Sequence, residues 1–370
     1  MKTVLVGIPC LKVGGTEMQT LRLVEALLSG GHRVVTVCYF EYDYEMVQKF
    51  KLAGSRVECL SAYGNRPQGL RNQYRFLKKG LKRVVSEYHP TVAHIQYMAP
   101  GALPIIALRK LGIKTILATS HTMGDIYKNL RLVHFVQRHY LKVFTCITEA
   151  AEKSFFRKAR LYTPHVSIGR HQHFTIYNTL APNYEFSRDR QLGDTIRIGF
   201  VGSLKPIKGA DLLLPAFAKF RQNCPNSKMI IVGEGELKEH MMQQEKELGL
   251  VGAVEWKGKQ PYEKLPSIYR EIDLLWVPSR SEGFGLTAIE AMANGCIVIA
   301  SNVGGLPEII NNLKLLFEKE SICSLVQCTQ DIISSDAASV YSLSQSMIDR
   351  ARMFQFDSYR ESILSLYSRI

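Results

Sequence analysis

Short apolar runs alternate with stretches of helical period along most of this chain, and the alternation happens twice. In the first half the runs fall at residues 3–8, 33–40, 57–60, 92–95, 115–119, 144–147 and 174–177. Between them, residues 16–28 repeat apolar side chains at helical spacing (Leu21, Leu23, Val24, Leu27, Leu28) and stop at Gly30-Gly31, and residues 102–111 stop at Gly112. Residues 181–195 are polar, with Pro182, Asn183, Arg188, Asp189, Arg190, Gly193 and Asp194, and read as a linker. A second series follows, with strands expected at 197–200, 228–231, 254–256, 274–277 and 296–300. Helices are expected at 210–220, 237–247, 265–270 and 306–310. Short, continuous apolar runs suit strands buried on both faces, and parallel strands need a crossover helix between them. The expected class is therefore α/β, with two Rossmann-like doubly wound parallel-sheet domains facing a cleft. The expected divisions are 1–185, 186–345 and a C-terminal helical segment, 346–370, in which residues 357–368 carry Tyr359, Ile363, Leu364 and Tyr367 on an apolar face.

The second series contains Pro278-Ser-Arg-Ser-Glu282-Gly-Phe-Gly-Leu-Thr-Ala-Ile-Glu290 between two of its apolar runs. This reads as strand, glycine loop, short helix, strand. Gly283 and Gly285 permit positive φ and close approach of backbone to a ligand. A helix over 287–294, stopped by Gly295, offers its first N–H groups to an anion such as a diphosphate. Glu282 enters just before those groups, where its carboxylate accepts hydrogen bonds from sugar hydroxyls. Glu290 lies two turns on, where a carboxylate takes the hydroxyls of a ribose, as acidic residues do in dinucleotide folds. Eight-residue spacing of two Glu is common in itself; the glycines and flanking strands separate this pair from two solvated side chains.

Other strand ends carry similar chemistry. Gly14-Gly15-Thr16-Glu17 follows the first strand and opens a helix, a second place for phosphate. Gly202-Ser203-Leu204-Lys205-Pro206-Ile207-Lys208-Gly209 follows the first strand of the second series, and Lys208 is the favoured cation for a diphosphate. Gly233-Glu234-Gly235 lies on the same rim. Ser120-His121-Thr122 ends a strand of the first half, where a histidine hydrogen-bonds a reacting sugar or merely satisfies its own loop. No Gly-x-Ser-x-Gly, His-Glu-x-x-His or Walker loop occurs.

The chain has 370 residues, 46% hydrophobic and 22% charged, enough for two globular domains. No apolar run reaches the length of a bilayer span, and residues 1–7 enter a glycine loop too soon for a secretion signal. The eight cysteines are scattered without Cys-x-x-Cys, which suits buried thiols in a reducing cytoplasm. His171 and His173, flanking Gln172, read as an exposed basic loop rather than a metal site, and no metal or other cofactor is expected.

Net charge is +14, and it is unevenly placed. Residues 1–180 hold 26 Lys and Arg against 10 Asp and Glu; residues 181–370 hold 21 against 23. Arg66, Arg71, Arg75, Lys78, Lys79, Lys82 and Arg83 recur at helical spacing with Tyr74 and Phe76 between them, and residues 153–160 form a second basic run. A basic amphipathic helix with aromatics suits an anionic membrane surface. No zinc-finger, RNP-type or basic-zipper signature supports nucleic acid, and none is expected as partner.

These residues resemble the GT-B glycosyltransferases of family 4, over nearly the whole chain. The likeness is strongest over 199–310: Glu282-x7-Glu290, Phe-Val-Gly202-Ser, Lys208-Gly209, Gly233-Glu-Gly235 and Gly304-Gly305-Leu-Pro-Glu308. Gly14-Gly15-x-Glu17 and Asn178 carry it in the first half. The resemblance implies a nucleotide diphospho-sugar donor and transfer with retention to a lipid-linked or glycan acceptor, as in cell-envelope synthesis. It implies a cytoplasmic enzyme peripheral at the inner face of the membrane. It implies Glu282 at the donor sugar, His121 at the anomeric centre, Lys208 at the diphosphate and Glu290 at the ribose. Phe284, Gly285, Leu286 and Thr287 would contribute backbone contacts, Gly14 and Gly15 would approach the phosphates, and Ser203, Glu234 and Lys259 would line the donor site. Domain closure would bring His121 and Glu282 together, and the C-terminal helix would return to the first domain. Two departures stand out. Ser203 replaces the Arg common after the Gly of the phosphate loop, with Lys205 or another cation as the substitute, and Asn178 precedes Thr-Leu rather than Gly and an apolar residue. Two other functions fit the residues: a sugar-nucleotide 2-epimerase on the same fold, and a non-enzymatic protein binding anionic lipid or nucleic acid.

Overall fold

A computed structural model describes residues 1–62, 64–96, 102–127, 129–169, 172–187 and 192–370. His171 and residues 188–190 of the expected linker lie outside the described residues. The chain divides into two compact units, one of Met1–Pro182 with Phe356–Ile370 and one of Asn183–Gln355.

Unit 1 runs β1 (Thr3–Ile8), α1 (Gly15–Ser29), β2 (Arg33–Cys38), α2 (Tyr44–Leu52), β3 (Arg56–Cys59), α3 (Leu70–Tyr88), β4 (Val92–Gln96), α4 (Leu103–Lys110), β5 (Thr115–Ser120), α5 (Leu130–Tyr140), β6 (Val143–Cys146), α6 (Glu149–Phe156) and β7 (Gln172–Thr175). The strands form one parallel sheet ordered β3-β2-β1-β4-β5-β6-β7. The order reverses between β1 and β4, so strand ends there open a crevice in the manner of doubly wound sheets. One face packs under α3, α4, α5 and α6 through Leu77, Leu81, Ile105, Leu108, Val133, Val136 and Phe155. The other packs under α1 and α2 through Leu23, Leu27, Met46 and Phe50.

Unit 2 runs β8 (Ile196–Val201), α7 (Ala210–Arg221), β9 (Ser227–Val232), α8 (Lys238–Glu247), β10 (Val254–Gly258), α9 (Leu265–Glu271), β11 (Leu274–Val277), α10 (Leu286–Ala293), β12 (Ile297–Ser301), α11 (Leu306–Ile310), β13 (Leu316–Phe317), α12 (Ile322–Ile333) and α13 (Ala337–Arg352). Its parallel sheet is ordered β10-β9-β8-β11-β12-β13. Every residue of β11 and β12 is buried, as their continuous apolar sequence requires. Trp276 of β11 is fully buried, and its indole N–H donates to Thr329 Oγ1 at 3.0 Å.

The last helix, α14 (Phe356–Ser368), packs on α1 in unit 1, with Ile363, Leu366 and Tyr367 buried. A polar chain fixes it to the sheet. Tyr367 Oη meets His94 Nδ1 at 2.9 Å, His94 Nε2 meets Thr119 Oγ1 at 2.7 Å, and Thr119 Oγ1 meets Thr145 Oγ1 at 2.7 Å. Residues 346–355, read from the sequence with this helix, stay in unit 2. The reason is the packing of α13 on α10: Ser344 Oγ donates to Gly295 O at 2.7 Å, and Arg350 binds the carbonyls of Glu308 and Ile309. Among the described residues no helix is long and apolar enough to cross a membrane.

Candidate active site

Four loops of unit 2 leave the C-terminal ends of the neighbouring strands β9, β8, β11 and β12, and backbone bonds lace them together. The Leu204 N–H donates to Glu234 O at 3.0 Å, Leu237 N–H to Leu204 O at 3.1 Å and Arg280 N–H to Ile207 O at 2.9 Å. The Gly305 N–H donates to Glu282 O at 3.0 Å. Glycine is required at two of these approaches. Gly209 has φ 67°, and a Cβ there would stand 1.9 Å from Pro278 O. Gly304 has φ 56°, and a Cβ there would stand 2.0 Å from Glu282 O. No side chain fits either gap.

This lacing brings Lys208 and Glu282 together. Lys208 Nζ lies 2.6 Å from Glu282 Oε2, which also accepts from Ser279 Oγ at 3.3 Å. Both side chains retain some exposure, so the pair faces solvent at the rim. Glu282 sits just before α10, whose N-cap is Gly285 in the left-handed conformation. The first N–H groups of a helix lack intrahelical partners and favour negative charge.

Arg280 is one of the residues that sequence reasoning missed. Its guanidinium grips Asp211 with two bonds of 2.7 and 2.8 Å, reaches Glu320 Oε1 at 2.6 Å and donates to Pro206 O. Pro206 and Asp211 bracket Lys208. The Arg280 hydrogen bonds hold the Asp211 carboxyl below its ordinary pKa. Ion pairs this exposed contribute roughly 0–1 kcal/mol of stability each. The effect of Arg280 is therefore on where the 205–209 turn sits against the Glu282 loop. Four of the five guanidinium N–H groups of Arg280 are taken by these partners. Ser203 is partly buried, and its carbonyl accepts from Lys205 N–H at 2.8 Å, while Lys205 is exposed.

Glu290 is buried on α10, and its Oε2 accepts from Tyr269 Oη of α9 at 2.9 Å. Asn294 Nδ2 donates to Glu290 O at 2.9 Å and to Tyr184 Oη at 2.8 Å. Burial first, then the Glu290 charge, raises the Tyr269 and Tyr184 hydroxyls above their ordinary pKa. Tyr269 thus stays a donor and orients the carboxylate. Phe284 is buried, its ring edge-on to Phe354 at 5.5 Å. Leu286 and Thr287 form the first turn of α10 and are partly exposed. Glu234 is exposed and pairs with Lys238 at 2.8 Å. Lys259 is exposed just past β10.

In unit 1, His121 follows the C-terminal end of β5, and its Nε2 donates to Gln96 Oε1 at 2.8 Å. Burial pushes its pKa down to about 3, so the imidazole is neutral at pH 7. Gly14 caps α1 and Gly15 begins it, exposed. A Cβ on Gly14 would meet the Glu17 carboxylate at 2.5 Å. Glu17 is buried, its pKa is raised by burial, and it accepts from Cys10 Sγ at 3.1 Å. His173 does not stand in an open loop: its Nδ1 lies 2.5 Å from the buried Glu152 carboxylate, and its ring stacks on Phe156 at 4.0 Å. Among the described residues no cluster of His, Cys, Asp and Glu has the arrangement of a metal site.

Two family profiles match this chain. Residues 13–164 match "Glycosyltransferase Family 4" and residues 185–354 match "Glycosyl transferases group 1". The chain belongs to the family 4 glycosyltransferases. A D-inositol 3-phosphate glycosyltransferase of Segniliparus rotundus is 43% identical over 114 residues, 30% of this chain and 25% of that protein. The enzyme of the same name from Corynebacterium aurimucosum is 28% identical over 190 residues, 48% of this chain and 45% of that protein. The matches thus span less than half the length of these relatives. Anabaena HepE, solved with UDP and glucose, superposes with a TM-score of 0.80 at 18% identity over all of both chains. Sucrose-phosphate synthase of Thermosynechococcus elongatus does so with 0.79 at 19% identity, over 100% and 99% of the two chains. These likenesses establish the GT-B fold.

Two outcomes follow from this geometry. Arg280→Gln should stay folded, with a melting point within a few degrees, yet lose about tenfold in nucleoside diphosphate affinity by calorimetry, as a displaced charge-assisted contact of about 1.4 kcal/mol implies. Unchanged affinity in the folded variant contradicts the positioning role. The second concerns pH. His94 and His121 are held at about 3 by burial, against 6.5 when free. Between those values the unfolded chain binds protons that the folded chain does not, so they make stability fall as pH drops from 6.5 to about 3. Urea unfolding of His121→Asn should show a shallower fall across that window than the unaltered chain; identical slopes contradict it.

Proposed function

We propose that this chain transfers a sugar from a nucleoside diphosphate sugar to an acceptor hydroxyl, with retention at the anomeric carbon. The observation that carries the reading is the Lys208–Glu282 pair at the mouth of α10, with the buried Glu290 carboxylate eight residues on. Lys208 and the first N–H groups of α10 take the diphosphate, Glu282 takes hydroxyls of the donor sugar, and Glu290, oriented by Tyr269, takes the ribose. Gly14 and Gly15 at the start of α1 are a second approach to phosphate. In the reaction the bond from the anomeric carbon to the β-phosphate oxygen breaks. A bond to the acceptor oxygen forms on the same face, and the acceptor proton passes to the departing phosphate oxygen. Lys208 stabilises the charge left on that phosphate, so the reading needs no metal. His121, neutral at pH 7, is a hydrogen-bonding group for the reacting sugar rather than a fixed charge.

UDP is the first nucleotide to test, since HepE was solved with it. The acceptor is a lipid-linked or envelope glycan, on the cytoplasmic side of the membrane. The basic outer face of α3 supports this: Arg71, Arg75, Lys78, Lys79, Lys82 and Arg83 are all exposed and suit an anionic lipid surface.

The test is a panel of sugar nucleotides by thermal shift, then mass spectrometry of products with inositol 3-phosphate and lipid-linked acceptors. One donor should raise the melting point and yield a glycosylated acceptor, and Glu282→Ala should abolish product while keeping the fold. Product from donor alone, without acceptor, points instead to an epimerase. Full turnover by Glu282→Ala removes the assigned role.

A further inference from the structure

The basic face of unit 1 holds an apolar element that the sequence pattern places elsewhere. Tyr74 and Phe76, interleaved with the α3 cations, turn inward: both pack against the core, Phe76 stacks on Phe40 at 6.0 Å, and Lys110 lies over the Tyr74 ring. What α3 shows outside is charge, with Leu70 exposed at its first position. The neighbouring α5 differs. Its inner face buries Val133 and Val136, and its outer stripe is Arg131, Leu132, Phe135, Arg138 and His139. Leu132 is 54% exposed and Phe135 51%, and Ile126 just before the helix is 58% exposed. Residues 130–140 contain no Asp or Glu.

Single exposed apolar side chains are ordinary. Two of them on one stripe, flanked by arginines and without an acid, have the composition of a helix that lies in a lipid interface. Helices α3, α4 and α5 cover the same face of the sheet, with α3 against α4 and α4 against α5. The α3 cations and the α5 stripe therefore share one side of unit 1. The acids on this side are Glu58 and Glu87, both paired with Arg83, Glu149, paired with Lys153, the buried Glu152, paired with His173, and the exposed Asp125. Cations outnumber them, which favours an anionic partner.

We infer that α5 inserts Leu132 and Phe135 into the headgroup region of an anionic bilayer while α3 supplies the long-range attraction. This rests on the membrane reading of unit 1 above and adds the element that enters the lipid. The occupant is a bilayer rather than a second copy of the chain, because two such faces meeting would oppose cation to cation.

The experiment is flotation of the full chain with phosphatidylglycerol–phosphatidylcholine vesicles and with phosphatidylcholine alone, at low and high salt. The unaltered chain should float with the anionic vesicles and be released by salt. Leu132→Ser/Phe135→Ser should keep its melting point and lose about tenfold in partitioning, as removal of two inserted apolar groups implies. The indole introduced by Phe135→Trp should shift to the blue on binding and be quenched by brominated lipid. If the unaltered chain ignores anionic vesicles, the membrane reading and this inference fall together. If it binds and the serine variant binds equally, or the introduced indole stays unquenched, α5 is not the inserted element while the membrane reading stands. A dimer in sedimentation that the serine variant dissolves would overturn the inference in favour of a second copy.

Discussion

The contact between Lys208 and Glu282 is the constraint on which the rim of unit 2 depends. It joins two loops that are 74 residues apart in sequence and leave neighbouring strands. It forms only because Gly209 and Gly304 let backbone pass where no side chain fits, and because Arg280 ties the Lys208 turn to its own loop through Asp211 and Pro206. The two charges neutralise each other at 2.6 Å. On the proposed function, a diphosphate at the mouth of α10 would compete with Glu282 for the ammonium and release the carboxylate to the sugar hydroxyls.

The α10 helix separates the two glutamates by environment as well as by distance. Glu282 lies in the loop with two hydroxyl or ammonium partners and solvent access, while Glu290 is buried and fixed by the Tyr269 hydroxyl. A buried carboxylate held by a donor is a recognition group with a set direction. An exposed one paired to a lysine exchanges partners readily. On the proposed function they serve different parts of the ligand rather than forming an acid and base couple.

Much of this was legible in the sequence because it is local. The strand at Leu274–Val277 and the helix at Leu306–Ile310 have the limits that apolar runs and prolines imply, and the glycine loop before Glu290 opens a helix as its spacing requires. Helical period also placed the cations of α3 on one face, but period alone does not say that Tyr74 and Phe76 occupy the other. Residues 322–352 form α12 and α13 with little sequence signal, since serines and glutamine dilute their apolar stripes. Arg280, Asp211 and Tyr269 went unread for a different reason. Each acts through a partner 21 to 74 residues away, and no pattern in one chain reports such pairings. The Ser203 departure was legible, but not that the guanidinium touching that loop at Pro206 belongs to Arg280 and is paired with Asp211.

The most direct measurement is calorimetric titration of a nucleoside diphosphate into Lys208→Met, Glu282→Gln and the double variant. If Glu282 competes with the diphosphate for Lys208, Glu282→Gln binds at least as tightly as the unaltered chain, Lys208→Met loses tenfold or more, and the two changes are non-additive by roughly 0.5–3 kcal/mol. Undiminished binding by Lys208→Met, or strict additivity, would contradict the account.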